Sequence, residues 1–161
     1  MNHPDAIEHT RQWVQAVVVG LNFCPFAKRE LDKNRVRFVA SHASKKKAVL
    51  QQCLDECQLL DSDATIETTL LVLPTGFADF FTYLRLVDEV EALLLDEGYE
   101  GIYQVASFHP DYCFADEDYD DPANFTNRSP YPLLHILREA SMERAIANFP
   151  DTSTIHEPNR Q

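Results

Sequence analysis

Apolar residues follow a helical period in four segments of the chain, and three shorter segments between them are largely apolar. In the first helical segment Val14, Val17, Val18 and Leu21 stand at i, i+3, i+4 and i+7, the spacing of one buried stripe on an α-helix. The shorter runs have the length of buried strands. The pattern predicts helices over residues 4–21, 44–60, 80–97 and 130–149, and strands over residues 36–40, 66–73 and 102–108.

Local signals mark several helix ends in this pattern. Ser44 is a good N-cap for the second helix, and Gly98 stands where a glycine would end the third. Pro130 follows Ser129, and a proline in the first helical position behind a serine is a helix-start signal. We therefore expect the fourth helix to begin directly after the long polar loop that precedes Ser129.

The predicted order is α-β-α-β-α-β-loop-α, which favours parallel strands joined by right-handed helical crossovers. We expect an α/β fold with a small three-stranded, mainly parallel sheet covered by about four helices. A ferredoxin-like α+β arrangement with one antiparallel strand is the alternative. No repeat or linker divides the chain, so residues 1–150 are predicted to form a single domain and residues 151–161 a flexible tail.

Composition narrows the class of protein. The chain has 161 residues, of which 45% are hydrophobic, and this suits one domain with a real core. A net charge of −12 argues against nucleic acid or an anionic membrane surface as the partner, since both require clustered Lys and Arg. The polar N-terminal residues do not resemble a secretory signal, and the apolar runs are too short to span a bilayer. We expect a cytoplasmic protein with reduced cysteines.

The richest polar chemistry follows the third predicted strand. His109, Asp111 and Cys113 alternate in sequence, so an extended segment would place them on one side. All three residue types can bind zinc or iron, which makes them a candidate metal site. In a catalytic interpretation His109 is a general acid or base and Asp111 orients it. The ordinary alternative is a histidine that closes a turn beside a small buried thiol.

Cys24 is a second candidate for chemistry. It stands between Phe23 and Pro25 in a predicted turn, where a thiol at the start of a helical turn can have a lowered pKa and act as a nucleophile. His109 or His135 would be its base if the fold brought them together. A thiol buried between aromatic rings is the alternative.

Asn127, Arg128 and Ser129 form the candidate anion-binding site. The free N–H groups of a helix start attract an anion, and Arg128 would add a bidentate clamp for carboxylate or phosphate. Alternatively, Arg128 pairs with one of the five acidic residues in the segment 116–121 and pins the loop. That acidic segment is not an EF-hand, because Asp121 occupies the position that requires glycine.

Several motifs give the chain a likeness to a known family. These are residues 20–27 (GLNFCPFA), 107–110 (SFHP), 121–124 (DPAN) and 127–132 (NRSPYP). With them the chain resembles the bacterial family named domain of unknown function 1415, and the resemblance covers most of the chain, from residue 13 to about residue 145. The resemblance implies a small bacterial cytosolic protein and implies no mechanism, cofactor or catalytic residue.

Two functions are compatible with the sequence. The first is an enzyme that acts on a small anionic metabolite through His109 acid/base chemistry, with Cys24 as a nucleophile. The second is a non-catalytic binding or regulatory module whose acidic surface meets a protein partner. A pocket joining Cys24, His109 and Arg128 would favour the enzyme, whereas a buried and fully hydrogen-bonded His109 would favour the binding module.

Overall fold

The computed structural model describes residues 3–19 and 34–148. The chain forms an α/β fold in which a four-stranded sheet is flanked by helices. The helices are α1 (His3–Trp13, with a π-helical continuation over Val14–Val19), α2 (Lys46–Ser62), α3 (Phe80–Asp96) and α4 (Glu139–Asn148). The strands are β1 (Val36–Ala40), β2 (Thr68–Val72), β3 (Tyr103–Phe108) and β4 (Leu133–Arg138).

The strand order is β1-β2-β4-β3. β1 and β2 are parallel and are joined by α2, which is the crossover that the alternation of elements predicted. β4 lies between β2 and β3 and is antiparallel to both. The sheet is therefore mixed and four-stranded, not three-stranded and mainly parallel. From β1 onward the element order is β-α-β-α-β-β-α, which also differs from the β-α-β-β-α-β order of a ferredoxin-like domain.

The additional strand was predicted as the start of the fourth helix, and that prediction was wrong. Leu133, Leu134 and Leu137 fit a helical stripe, but the short run LLHILR fits a buried strand equally well. Pairing on both sides decides between the two, because β4 completes the hydrogen bonding of β2 and of β3. The helix begins only at Glu139, and the segment Ser129–Pro130 starts no helix.

The main core lies between one face of the sheet and the helices α2 and α3. Leu71 of β2 and Ile136 of β4 are fully buried there against the apolar stripes of both helices. Cys53 and Cys57 belong to the α2 stripe and pack as small apolar residues. A hydrogen bond with Cys53, together with burial, raises the pKa of the Cys57 thiol. None of the described helices has both the length and the apolar character that a membrane crossing needs.

The opposite face of the sheet is covered less completely. Val14, which directly follows α1, packs on Leu70 and Leu133, and all three residues are buried. Around them Trp13 and Phe108 are only half-buried, and their rings meet edge to face with centroids 5.4 Å apart. This face therefore combines a small buried cluster with a partly open aromatic margin.

Tyr83 of α3 fastens the ends of β3 and β4 together. Its buried hydroxyl donates to the carbonyl oxygen of Leu133 (2.6 Å) and accepts from the backbone N–H of Phe108 (2.9 Å). Phe108 and Leu133 are paired residues at the point where residues 109–132 leave the sheet and return to it. One phenol thus holds both ends of this long connection, and burial raises its pKa.

Tyr83→Phe should lower the free energy of unfolding by about 2 kcal/mol, because two buried backbone groups lose their partner while the ring is retained. Urea denaturation measures this. Tyr99→Phe is the matched control, since the Tyr99 hydroxyl bonds the carboxylate of Asp61 at the surface. Equal losses in the two variants would show that the Tyr83 hydroxyl has no special structural role.

Candidate functional site

His109 begins the connection between β3 and β4, and its imidazole is completely buried. Nε2 lies 2.9 Å from the carbonyl oxygen of Phe77, and Nδ1 lies 2.9 Å from the backbone N–H of Asp111. A carbonyl only accepts and an N–H only donates, so the ring is neutral with its proton on Nε2. Burial lowers the pKa of His109, which favours this neutral form. Both nitrogens are therefore engaged within the protein.

Aromatic rings enclose the imidazole of His109. The ring of Tyr83 lies 5.0 Å away and that of Phe80 5.2 Å away, measured between centroids. The buried imidazole thus links the turn at Phe77 to the first residues of the connection between β3 and β4. The general acid/base role of His109 stays a prediction. In this geometry both ring nitrogens are hydrogen-bonded within the protein, so neither is free to exchange a proton with a substrate.

Asp111 and Cys113 do not meet His109 through their side chains. The carboxylate of Asp111 accepts a hydrogen bond from the hydroxyl of Tyr119 (3.1 Å), and only its backbone N–H reaches the imidazole. The thiol of Cys113 lies 3.2 Å from the carbonyl oxygen of Glu117. Within residues 3–19 and 34–148, no three His, Cys, Asp or Glu side chains are grouped to hold a metal ion. The metal site predicted at His109, Asp111 and Cys113 is therefore not found.

Arg128 holds the loop through backbone carbonyls and an aromatic ring. Its Nε donates to the carbonyl oxygen of Tyr112 (2.9 Å), and a terminal nitrogen donates to that of Tyr119. The guanidinium carbon also lies 4.0 Å from the centroid of the Tyr119 ring, a cation–π contact. Arg128 pins the loop, as one alternative proposed, but its described partners are carbonyls and a ring in place of aspartates.

The neighbours of Arg128 are also committed to the loop. Asn127 donates from its side chain to the carbonyl oxygen of Ser107 (3.0 Å), and its own carbonyl accepts from the N–H of His109 (3.1 Å). The hydroxyl of buried Ser129 donates to the carbonyl oxygen of Tyr131 (2.6 Å). Because no helix starts at Ser129, the helix-dipole argument for anion binding by Asn127, Arg128 and Ser129 no longer applies.

Asn124 organises the centre of the loop. Its buried side-chain oxygen accepts from the N–H of Phe114 (2.8 Å), and its amide nitrogen donates to the carbonyl oxygens of Asp118 (2.9 Å) and Tyr119 (3.3 Å). It follows Asp121, whose side chain caps a short 3-10 helix at Pro122–Asn127 by accepting from Ala123 N–H. The polar backbone of the loop is thus satisfied from within.

Because these hydrogen bonds lie within the loop, the acidic and aromatic side chains are left at its surface. Glu117 and Asp121 are close enough to share a hydrogen bond, and this crowding raises the pKa of Glu117. Rings of Phe81, Phe80, Tyr112 and Phe114 contact one another in series, with centroids 6.2, 5.5 and 4.9 Å apart. Phe81 is 68% exposed and Phe114 is 38% exposed. We call these four rings the aromatic row.

Cys24 lies outside the described residues, so its relation to His109 and Arg128 stays untested. Both of those residues belong to the same loop, but their functional groups do not face a shared space. The nitrogens of His109 bond Phe77 and Asp111, whereas the guanidinium of Arg128 lies on Tyr112 and Tyr119.

A comparison with protein families found a match. A family model described as protein of unknown function, DUF1415, matches residues 5–161. The chain belongs to this family. This confirms the resemblance drawn from the motifs, and the DUF1415 description assigns no role to any residue. Comparisons with curated proteins and with solved structures found no match.

Sequence reasoning missed the aromatic row. Its members come from residues 80–81 and 112–114, which are distant in sequence, so no local pattern connects them. The available signal was Phe81, because a second consecutive phenylalanine on an amphipathic helix points away from the stripe.

We predict that His109→Gln lowers the free energy of unfolding by about 1–3 kcal/mol at pH 7.5, since one amide cannot make both imidazole contacts. This difference should shrink as pH falls below about 6.5. The pKa of His109 is lower in the folded state than in the unfolded state. Below about pH 6.5 the unfolded chain therefore binds a proton that the folded protein does not bind, and the wild type loses stability. Denaturation at several pH values tests this, with exposed His9→Gln as the control. A difference that is constant or grows toward acid pH would contradict the neutral, buried assignment.

Proposed function

We propose that the protein is a non-catalytic binding module that docks a basic, partly apolar segment of a protein partner. The docking surface is the aromatic row together with the carboxylates that surround it. The observation that carries this proposal is the series of ring contacts that joins exposed Phe81 of α3 to exposed Phe114 of the long loop. That loop, residues 109–132, carries six carboxylates and a single cation, Arg128. The alternative enzymatic function loses its main support, because His109 has no free nitrogen.

Exposed aromatic rings in mutual contact are unusual on a surface that meets only water. Phe81 and Phe114 contribute large apolar areas whose burial by a partner would be favourable. Aromatic side chains are also enriched in protein interfaces, where they supply contact area with few rotatable bonds. The row rests on buried His109 and Tyr83, so it is held before any partner arrives. A preorganised surface loses little conformational entropy on binding.

The charge around the row selects the kind of partner. Residues 74–84 and 109–127 contain seven carboxylates and no Lys or Arg. The acidic residues of these segments, all exposed except half-buried Asp121, are Asp79, Asp111, Asp116, Glu117, Asp118, Asp120 and Asp121. Such a surface repels acidic partners and attracts basic ones, so charge complementarity sets both specificity and association rate. The partner segment is therefore expected to carry Lys or Arg beside apolar side chains.

The test uses a synthetic 18-residue peptide with leucines on one helical face and lysines on the other. Isothermal titration calorimetry should show binding that weakens at least fivefold between about 50 and 300 mM salt, because the attraction is electrostatic. Phe81→Ser combined with Phe114→Ser should also weaken binding at least fivefold without any change in charge. A peptide with glutamate in place of lysine should not bind.

The matched control is Leu95→Ser combined with Ile102→Ser, which removes two other exposed apolar side chains. This variant should bind the lysine peptide like the wild type. If both double variants bind equally well, the attraction is a general effect of the net charge of −12 and the proposed surface is wrong. Failure of the wild type to bind the peptide would count equally against it.

A further inference from the structure

A second histidine lies on the opposite face of the sheet, away from the long loop. His135 is the only polar residue between Leu133 and Leu137 of β4, where all the other side chains are apolar. It is paired with Leu70 on β2 and with Ala106 on β3. The buried face of a strand needs no imidazole at this position, because an apolar side chain would fill it equally well.

One ring nitrogen of His135 has a fixed role. Nε2 lies 2.9 Å from the hydroxyl oxygen of Thr68, and that hydroxyl donates its proton to the carbonyl oxygen of Ile136 at 2.5 Å. Since the hydroxyl has a single proton, it must accept from His135, which places the imidazole proton on Nε2. The lone pair of a neutral ring therefore resides on Nδ1. Among the described residues Nδ1 has no hydrogen-bond partner.

The ring is held in the neutral state. Burial lowers the pKa of His135 to about 4, and no charged group contributes to this shift. At neutral pH the ring is an acceptor at Nδ1 and a weak base, which suits ligand binding better than proton transfer. The ring is half-buried, so water can reach it, and a ligand that donates to Nδ1 would replace that water.

On the β3 side, the described neighbours of His135 are one small residue and one exposed residue. Ala106, the paired residue, carries only a methyl group, and exposed Gln104 lies two positions further along the strand edge. Phe108 lies on the other side, with its ring centroid 6.2 Å from the imidazole and in contact with Trp13. The described residues around the ring thus combine a small apolar neighbour, two aromatic side chains and the outermost strand β3.

We propose that this margin of the sheet is a ligand site in which His135 Nδ1 accepts a hydrogen bond from an uncharged donor carried on an aromatic body. A phenolic hydroxyl or a ring N–H is the expected donor. The ring of such a ligand would pack over Ala106 against Phe108 and Trp13. The site is separate from the docking surface, so either can exist without the other.

The test compares phenol with anisole, which has the same ring but no hydrogen to donate. In a titration followed by two-dimensional NMR of the imidazole nitrogens, phenol should shift His135 Nδ1, while the Nδ1 signal of exposed His9 should stay unchanged. Phenol should bind at least fivefold more tightly than anisole. In His135→Phe the two compounds should bind equally, because the acceptor is gone and the ring contacts remain.

His135→Asn is the second variant, in case the phenylalanine is not tolerated. Its side-chain oxygen keeps an acceptor at the strand face, so a preference for phenol should persist in reduced form. The proposal is overturned if wild-type protein binds phenol and anisole equally, if it binds neither, or if the signals that move belong to another histidine.

Discussion

The structure depends on how residues 109–132 are closed. Insertion of β4 between β2 and β3 makes this segment leave the sheet at Phe108 and return at Leu133, two residues paired on neighbouring strands. A long segment whose ends meet loses considerable conformational entropy and must recover it through internal contacts. Tyr83 holds the two ends, and Asn124 and Arg128 satisfy carbonyls in the interior. Long ordered loops of this kind in compact domains usually carry function.

This closure explains why the polar chemistry of the loop points inward. His109 is neutral between Phe77 and Asp111, and the guanidinium of Arg128 is occupied by carbonyls and a ring. His109 and Arg128 therefore build the loop, and the side chains left outside are carboxylates and aromatic rings. In this arrangement neither imidazole nitrogen of His109 is left for proton transfer, and the carboxylates and rings at the surface are the groups that the proposed docking function uses.

The sequence predicted the local elements well and the long-range arrangement less well. Strand β1 and helices α2 and α3 were predicted within a few residues, because their apolar periods are unambiguous. β4 was missed because a six-residue apolar run fits a strand or a helix, and only pairing with both neighbours decides between them. The roles of His109 and Arg128 depend on contacts with Phe77 and Tyr119, which no spacing rule reveals. The residue types in the sequence were enough to single out the loop at residues 109–132. The roles of its side chains depend on tertiary contacts that the sequence does not show.

The most direct measurement of the central claim is a map of backbone amide NMR shifts during titration with the basic amphipathic peptide. We expect the largest shifts at the aromatic row and in residues 111–121, with little change on β1 at the far edge of the sheet. The His109 imidazole should keep its Nε2 proton throughout. Shifts spread evenly over all acidic surfaces, or centred away from Phe81 and Phe114, would contradict a docking function for this loop.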